Sequence, residues 1–480
     1  MRNSPLWFRR TFAIAAGGIL AGALAGCNVG PKYKRPAYPA PPAFRGADEA
    51  AVTSDAQNSL GDQNWVQVFR EPELQALIRT ALTNNYDIQI AAQRVAEQQA
   101  QVQITRSQEF PTLSVGGTGI GASFNSSTFG SSSGSNSISS PLSEGSFNLS
   151  AAWTPDFWGL YRKQTQAARA QLLAQTWAQR AVRLSLVQSV ATTYLQIRAL
   201  DRQLDITKQT LKARQDSVKL TQTLADGGAA PLSDLRQAEQ LLYTATSQIP
   251  QLEQQIQQQE NAMSLLLGDN PGPIVRTSPN ALTPPPQDLP TGLPTQLLER
   301  RPDIQQAEAT LVAANAQIGI ARAQFFPQLT ISASGGVGGD SLSSIFSPDG
   351  KTIYGIGSLA QPLFEGGKLR GQLNIAKETQ KEDVFAYQKT IATALHDVSN
   401  ALIALNKQRV YREQQEKLVD AAQDSTRLAR MRYQGGATAY LEVLTTDTNL
   451  FTAQLNLVSA QQGEALTLVQ LYSALGGGWQ

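Results

Sequence analysis

The chain has 480 residues, 16% of them charged and 7% aromatic, with a formal net charge of +2. So even a balance gives no basic footprint for nucleic acid and no acidic disordered tail. The sole cysteine, Cys27, excludes a disulfide within the chain, and the polar content is weighted to Gln, Ser, Thr and Asn, which suits a large protein facing water on two sides.

Arg2, Arg9 and Arg10 precede an apolar stretch from Phe12 to Ala25 that is too short for a spanning helix and ends in small residues, as an exported signal does. Leu24-Ala25-Gly26-Cys27 resembles the bacterial lipobox, in which signal peptidase cuts before the cysteine and the thiol carries diacylglycerol. Residues 1–26 are accordingly read as a signal peptide and Cys27 as a lipidated N terminus; a buried structural thiol is the alternative. Asn28 stands where inner-membrane retention asks for Asp, which favours the outer membrane. Arg9-Arg10-Thr11-Phe12 is also similar to a twin-arginine signal, and ordinary basic regions look alike, so the export route stays open. Beyond the signal no apolar run approaches the ~18 residues of a transmembrane helix, so any crossing falls to strands.

From Pro72 to about Gln108 apolar residues recur at spacings of three and four, which predicts helix up to Phe110-Pro111. Leu113 to Ala122 and Ser146 to Trp153 alternate loosely and read as two strands. Between them Asn125 to Pro141, rich in Ser, Gly and Asn, reads as a loop. After Gly159 neither glycine nor proline appears until Gly227, and after Gly371 none until Gly435. Each run predicts a rod on the order of 100 Å long. A free coiled coil is the alternative, but the apolar positions keep no strict heptad and many are Ala, Thr or Ser, which suits broad contacts in a larger sheath. Each rod ends at a double glycine and turns into a shorter helix, Ser233 to Leu267 and Leu441 to Leu475, with Ser233 as the expected N-cap and Pro250 as an expected kink or break.

The second half repeats this plan. Asp87-Ile88-Gln89 recurs as Asp303-Ile304-Gln305, 216 positions on, and the same offset maps Arg106 onto Arg322 and Phe110-Pro111 onto Phe326-Pro327. Gly227-Gly228-Ala229 recurs as Gly435-Gly436-Ala437, 208 positions on, as do Leu242 in Leu450 and Leu267-Gly268 in Leu475-Gly476. Helix is expected over Ile304 to Gln324, and strands over Gln328 to Val337 and Ile353 to Leu363. Four strands cannot close a barrel, and open edges are forbidden in lipid. Several identical chains must then share one barrel; three would supply twelve strands and a matching ring of helices.

Particular segments carry a resemblance. They are Val29-Gly30-Pro31 to Pro36, Trp65 with Phe69-Arg70-Glu71-Pro72-Glu73-Leu74, and Trp153-Thr154-Pro155-Asp156-Phe157-Trp158-Gly159. Further on stand Leu298-Glu299-Arg300-Arg301-Pro302-Asp303-Ile304, Ala314-Asn315-Ala316, Gln361-Pro362-Leu363-Phe364-Glu365-Gly366-Gly367 and Leu475-Gly476-Gly477-Gly478-Trp479. Together and in this order they resemble the TolC-like outer-membrane efflux proteins, in the OprM/NodT lipoprotein branch, over essentially the whole mature chain. The resemblance implies a mixed α/β membrane protein. Its outer-membrane β-barrel, four strands per chain and twelve per homotrimer, would be continuous with a long periplasmic α-helical barrel. The function implied is the exit duct of a tripartite efflux pump, docked to a periplasmic adaptor protein and an inner-membrane RND transporter, with no cofactor. The organisation is then a signal (1–26), a lipidated extended segment (27–71), a first repeat (72–268), a linker (269–296) and a second repeat (297–479). A type I protein-secretion duct is the runner-up and a periplasmic coiled-coil lipoprotein the more remote alternative.

The family closes its periplasmic end with apolar and charged rings on the helix after the second double glycine, in a pattern Tyr-Leu-x-x-Leu-Asp-x-x-Arg. Here Tyr440, Leu441 and Leu444 match, while Thr445 and Thr448 stand where Asp and Arg are expected. Leu441 carries over as a candidate apolar gate, with Glu442, Thr445, Asp447 and Thr448 beside it; the charged ring does not carry over. Gly227, Gly228, Gly435 and Gly436 are candidate adaptor-facing turns, because left-handed turns favour glycine. Trp153, Phe157 and Trp158 suit an interfacial aromatic belt or packing under the barrel.

No enzyme signal stands out. His396, the only histidine, lacks the partners of a metal site or triad. Gly116-Gly117-Thr118-Gly119 follows a proline and opens no helix, so it reads as strand, not as a phosphate loop. The Glu71/Glu73 and Asp201/Asp205 pairs show no acid-base pattern.

Overall fold

The computed structural model describes residues 29–46, 59–122, 142–276, 292–340, 342–345 and 347–479. The signal, Cys27 and the polar loop read over Asn125 to Pro141 lie outside the described residues. The elements in order are α1 (Pro72–Asn84), α2 (Tyr86–Ser107), β1 (Thr112–Ala122), β2 (Leu142–Trp153), α3 (Leu160–Asp226) and α4 (Leu232–Leu267). The second repeat supplies α5 (Pro302–Ala323), β3 (Gln328–Gly339), β4 (Lys351–Ala360), α6 (Lys368–Gln434) and α7 (Tyr440–Ala474). Both rods are continuous helices of 67 residues. No helix among the described residues is long and apolar enough to cross a membrane.

The chain forms two compact units. The first holds the sheet and the helix segments next to it in sequence, residues 97–173 and 309–385. Its four strands run in the order β1-β2-β3-β4, all antiparallel, so β1 and β4 are edges. Alternation sorts the two faces. One carries Leu113, Val115, Phe147, Leu149, Ile331, Val337, Ile353 and Leu359. The other carries Ser114, Thr118, Ser146, Asn148, Ser150, Thr330, Ser332 and Ser358, with hydroxyl pairs Ser114–Ser150 (2.8 Å) and Thr118–Ser146 (2.6 Å). An apolar face over strands of 10–12 residues matches the hydrocarbon thickness that a tilted strand must cross. In the same unit Asn315 Nδ2 donates to the Pro31 carbonyl (3.1 Å), so the segment after the lipobox lies on α5. A Cβ on Gly30 would come within 3.0 Å of the Gly319 Cα, so the two backbones touch there.

The second unit is built on buried Tyr194, Ile197, Ile78, Leu297, Leu471 and Leu475. Its buried Glu464 on α7 accepts from Arg412 of α6 (2.5 Å) and pairs with Arg409 (3.6 Å), which joins those helices mid-length. The C-terminal Trp479 meets Trp177 edge-on at 5.8 Å, and Arg180 lies over both rings at 4.7 and 4.2 Å.

Three expectations are corrected. The helix expected over Pro72 to Gln108 is two helices, because Asn85 is extended (ψ 132°) and its carboxamide oxygen accepts from the Asp87 and Ile88 amides (2.8 and 3.3 Å). Asparagine competes for backbone in this way and so caps rather than continues a helix. Ser233 is not an N-cap: α4 starts one residue earlier, behind extended Pro231, and the Ser233 hydroxyl meets Asp234 (3.4 Å). Pro250 does not break α4, which runs through it. Buried Ala245 and Ile256 hold the helix on either side of the missing amide.

The break at Asn85 has an exact counterpart 216 positions on at Arg301, and each side chain reaches the carbonyl near the end of the following short helix. Asn85 Nδ2 donates to the Leu266 carbonyl (2.9 Å), and Arg301 Nη1 to the Ala474 carbonyl (3.0 Å), 208 positions on from Leu266. Helix ends leave such carbonyls unsatisfied, so both repeats close the same gap. Asn85→Ala should cost about 1 kcal/mol through the lost cap, read as a lower midpoint in urea or thermal unfolding, whereas Asn85→Asp should keep the amide contacts and lose only the Leu266 bond.

Candidate functional site

The tips of the long helices, in the second unit, hold the candidate residues. Both end in the same turn. Gly228 has φ +72° and Gly436 φ +71°. Ala229 donates to Leu224 (2.8 Å) and Gly228 to Ala225 (3.0 Å), and the second turn repeats this with Ala437 to Arg432 (2.8 Å) and Gly436 to Tyr433 (3.0 Å). This is the Schellman arrangement, which needs a left-handed residue where Cβ is unfavourable. A Cβ at Gly228 or Gly436 would meet nothing, so the requirement is conformational rather than spatial.

Packing splits α7 lengthwise. Tyr440, Val443 and Leu444 are buried with Ala238 of α4 and Ala429 of α6, and Val218, Leu241 and Tyr433 pack around them. The Tyr440 hydroxyl lies 2.6 Å from Ser217 Oγ of α3, and its ring is 5.2 Å from that of Tyr433. Leu441 is 62% exposed and Thr445 is exposed beside it. Thr448, also exposed, completes an i, i+4, i+7 stripe. The hydroxyls of Thr445 and Thr448 donate to the Leu441 and Leu444 carbonyls of their own helix (both 2.8 Å), so the stripe presents a leucine and methyl groups.

The two acids are placed elsewhere. Glu442 pairs with Arg432 (2.9 Å) and accepts from the Thr438 hydroxyl; Asp447 pairs with Arg430 (2.7 Å). Both arginines belong to α6, so the charges near the stripe are matched within the chain. Behind them buried Arg214 of α3 donates to the Leu241 carbonyl (2.7 Å) and lies over the Phe451 ring at 5.1 Å; burial pushes its guanidinium down from the usual value. Ser217, Arg214, Arg430 and Arg432 were not singled out from sequence. Only the arginines carried a signal, as cations shortly before the double glycine.

His396 is exposed on α6, its ring nitrogens 3.3 Å from Asp397 and 3.0 Å from Asn400. Among the described residues no group of three or more His, Cys, Asp or Glu could hold a metal ion. Trp158 stacks on Phe326 (4.7 Å, 22°) and donates to the Pro327 carbonyl (2.7 Å).

A family model described as outer membrane efflux protein matches residues 77–269 and 293–477. The cation efflux system protein CusC of Escherichia coli O6:H1 is 32% identical over 461 residues, 96% of this chain and 98% of that protein. The probable efflux pump outer membrane protein TtgC of Pseudomonas putida is 34% identical over 464 residues, 96% and 94% of the two chains. A crystal structure of CusC superposes with a TM-score of 0.82 at 30% identity over 94% of this chain and all of that one. The open-state crystal structure of the Neisseria gonorrhoeae channel MtrE does so at 0.81 and 27% identity, over 95% and 99%.

Burial raises the Tyr440 hydroxyl above its ordinary value of 10, against the smaller opposing effect of the Ser217 bond. A raised acid contributes stability that is complete below its unfolded pKa and lost as pH rises through the folded one. Hydrogen exchange over residues 434–449 should therefore be unchanged by ionisation of Tyr440 from pH 6 to 9. Tyr440→Phe and Ser217→Ala should each accelerate it, by the roughly 1 kcal/mol of one hydroxyl hydrogen bond.

Proposed function

The chain belongs to the outer membrane efflux protein family, and from that premise we propose how its own residues make and close a duct. It is an outer-membrane efflux channel with a large periplasmic helical portion. The family is one of channels, not an enzyme class, and we assign the chain no catalytic step and no cofactor.

The assembly is a homotrimer in which three four-stranded sheets close one barrel with the apolar face to lipid and the Ser/Thr/Asn face to the lumen. Open sheet edges and the exposed apolar stripes of the rods support it. The duct receives cargo from a periplasmic adaptor protein and an inner-membrane RND transporter. Gly227-Gly228 and Gly435-Gly436 face the adaptor, as exposed rigid turns at the tips. Cys27 carries the lipid that holds the N terminus at the outer membrane. The linked transporter, not this chain, selects the cargo, since the lumenal face of the sheet is uncharged over most of its length.

The periplasmic gate is the stripe Leu441, Thr445 and Thr448. The observation that carries this is the split of α7: its inner face is clamped to α3 and α6 while Leu441 stays 62% exposed. Because Arg432 and Arg430 already match Glu442 and Asp447, closure rests on apolar contact among three copies of Leu441 rather than on ion pairs between subunits. Exposed ion pairs contribute little and are screened by salt, and apolar contacts are not.

Leu441→Ala should raise single-channel conductance in planar bilayers, and wild-type closure should change little from about 0.1 to 1 M salt at fixed conductivity-corrected current. Unchanged conductance in Leu441→Ala would remove Leu441 as the gate. Cys27→Ser should abolish incorporation of labelled palmitate while leaving the folded channel intact.

A further inference from the structure

A cavity of about 620 Å³ lies in the second unit between α3, the start of α5, α6 and the end of α7. Its charged residues are Arg301 and Asp303 at the start of α5 and Asp397 of α6, while Gln188 of α3, Asn400 of α6 and Ser473 of α7 supply amides and a hydroxyl. That volume falls within the range of small-molecule sites. Two carboxylates share a single guanidinium here, and the way they share it decides what the cavity can hold.

The guanidinium has no donor left for an anion. Arg301 Nε and Nη2 donate to Asp303 (3.0 and 2.7 Å) and Nη1 to the Ala474 carbonyl (3.0 Å), the remaining N–H groups point at Asp397, and the side chain is only 12% exposed. Asp397 receives longer contacts, 3.4 and 3.5 Å from Arg301 and 3.3 Å from His396. Its side chain is 39% exposed and that of Asp303 41%, so both acids are more open than the arginine they share. Burial alone would lower the Arg301 pKa, yet Asp303 and Asp397 raise it above its ordinary value, so the local field is negative. An ammonium group that carries hydroxyls matches such walls, with charged donors for the carboxylates and hydrogen bonds for Asn400 and Ser473.

The helices also fix which way the cavity faces. The N-terminal segment packs on α7 through Tyr472, whose hydroxyl donates to the Gln63 carbonyl (2.8 Å) and whose ring meets Phe69 edge-on (5.6 Å). It packs on α6 through Gly46, which lies against Ile403 and whose carbonyl accepts from Asn406 (3.0 Å). Of the cavity residues, Gln470 and Ala474 stand two positions either side of Tyr472, and Ala401 and Ala404 two positions before Ile403 and Asn406. Two positions are about 200° around a helix, so the cavity opens on the side of α6 and α7 turned away from the N-terminal segment.

The first repeat lacks these groups. At the offsets of 216 and 208 Arg301 corresponds to Asn85 and Asp397 to Ser189, so the guanidinium and the long-helix carboxylate are both particular to the second copy. We propose that this cavity binds a polar primary amine, its ammonium on Asp397 and Asp303 and its hydroxyls on Asn400 and Ser473, and that it does so in the wall of the lumen. The lumenal placement rests on the duct reading, because a segment strapped along the helices runs over the outside of a tube; the binding does not. An amine in transit is held there briefly, which slows it without choosing what enters.

The test uses the full-length protein in detergent, with glucamine as the probe and sorbitol, which carries a hydroxyl in place of the ammonium, as its control. Saturation-transfer NMR should show glucamine bound and sorbitol not. Asp397→Asn should weaken glucamine about tenfold or more, the loss of one charged hydrogen bond, while Asp420→Asn, an exposed acid further along α6, should leave it unchanged. Ala404→Leu fills the cavity with no change of charge and should lose binding as well. No binding to the wild type, the result expected if a basic side chain of a second copy occupies the cavity, would overturn the site. So would equal binding in Asp397→Asn and Asp420→Asn, or binding retained in Ala404→Leu. In planar bilayers glucamine should interrupt the wild-type current and leave that of Asp397→Asn uninterrupted. Binding by NMR without interruption would overturn the lumenal placement alone, and the absence of any current would overturn the duct reading and leave the site standing.

Discussion

Lipid offers no partner to a backbone amide or carbonyl, and the rest of the molecule is arranged around that constraint. Among the described residues the chain supplies one antiparallel sheet of four strands, with β1 and β4 as its edges. The sheet's two faces differ in chemistry, so it has one orientation in a membrane, and its edges can be satisfied only by more strands. Everything that continues from the sheet inherits the demand. Each strand leads into a helix, so strands closed in a ring impose a ring of helices, and helices in a ring need contact surfaces on both flanks. The broad Ala, Ser and Thr content of α3 and α6 answers that need where a heptad of leucines would select a two-stranded coil.

Duplication provides the geometry and divergence provides the function. Asn85 and Arg301 fill the same gap in the two repeats, between a short helix start and the carbonyls ending α4 or α7. The first is a neutral amide serving α2 and α4 alone. The second is a guanidinium that also pairs with Asp303 (2.7 Å) and Asp397 of α6 (3.4 Å), so the second repeat gains a link from the junction to its long helix. Burial by itself would lower this guanidinium's pKa, and the two carboxylates more than offset that, so the net shift is upward. Arg300 beside it holds Asp62 (2.7 Å) and Ser59 (2.9 Å) of the N-terminal segment. Adjacent arginines thus tie three separate parts of the second unit to one short turn.

Long-range periodicity and glycine placement made the element order legible. Runs free of glycine and proline marked both rods, and α3 begins and ends where its run does. In α6 the helix starts three residues before Gly371, because one glycine in a helix is a modest cost that its neighbours outweigh. Local chemistry was harder to read. Asn85 lies in an unbroken apolar pattern, and only its bonds to the Asp87 and Ile88 amides show that it caps. Pro250 carries a strong breaking signal that packing overrides. At the candidate site Leu441 was legible from its motif, but its free stripe depends on which side of α7 faces α3 and α6, and that is a tertiary fact. Arg430 and Arg432 carry no motif of their own, and their pairing with Asp447 and Glu442 is likewise tertiary.

The tips show how two copies of one turn come to differ in their contacts. In the first repeat the helix after the turn carries Ser233, Asp234, Arg236 and Glu239, and Arg236 pairs with Glu239 on the same helix (2.7 Å). In the second repeat the equivalent charges reach across to α6, and Thr426 of α6 also donates to the Thr446 carbonyl of α7 (3.0 Å). With Glu464 on Arg412, these ties make α6 and α7 one body over much of α7. Near the turns that body is held to α3 by few polar contacts, the Ser217–Tyr440 hydroxyl pair and Arg214 over Phe451. A hydroxyl pair contributes roughly 1 kcal/mol and a cation on an aromatic face a similar amount. Separating α6 and α7 from each other would break several charged contacts, one of them buried, whereas moving them together from α3 would break these two polar contacts and the packing of Val218 against the Tyr440, Val443 and Leu444 cluster. Polar contacts are therefore denser between α6 and α7 than between that pair and α3, where apolar packing carries the joint, and Leu441 is exposed on α7 outside that packing.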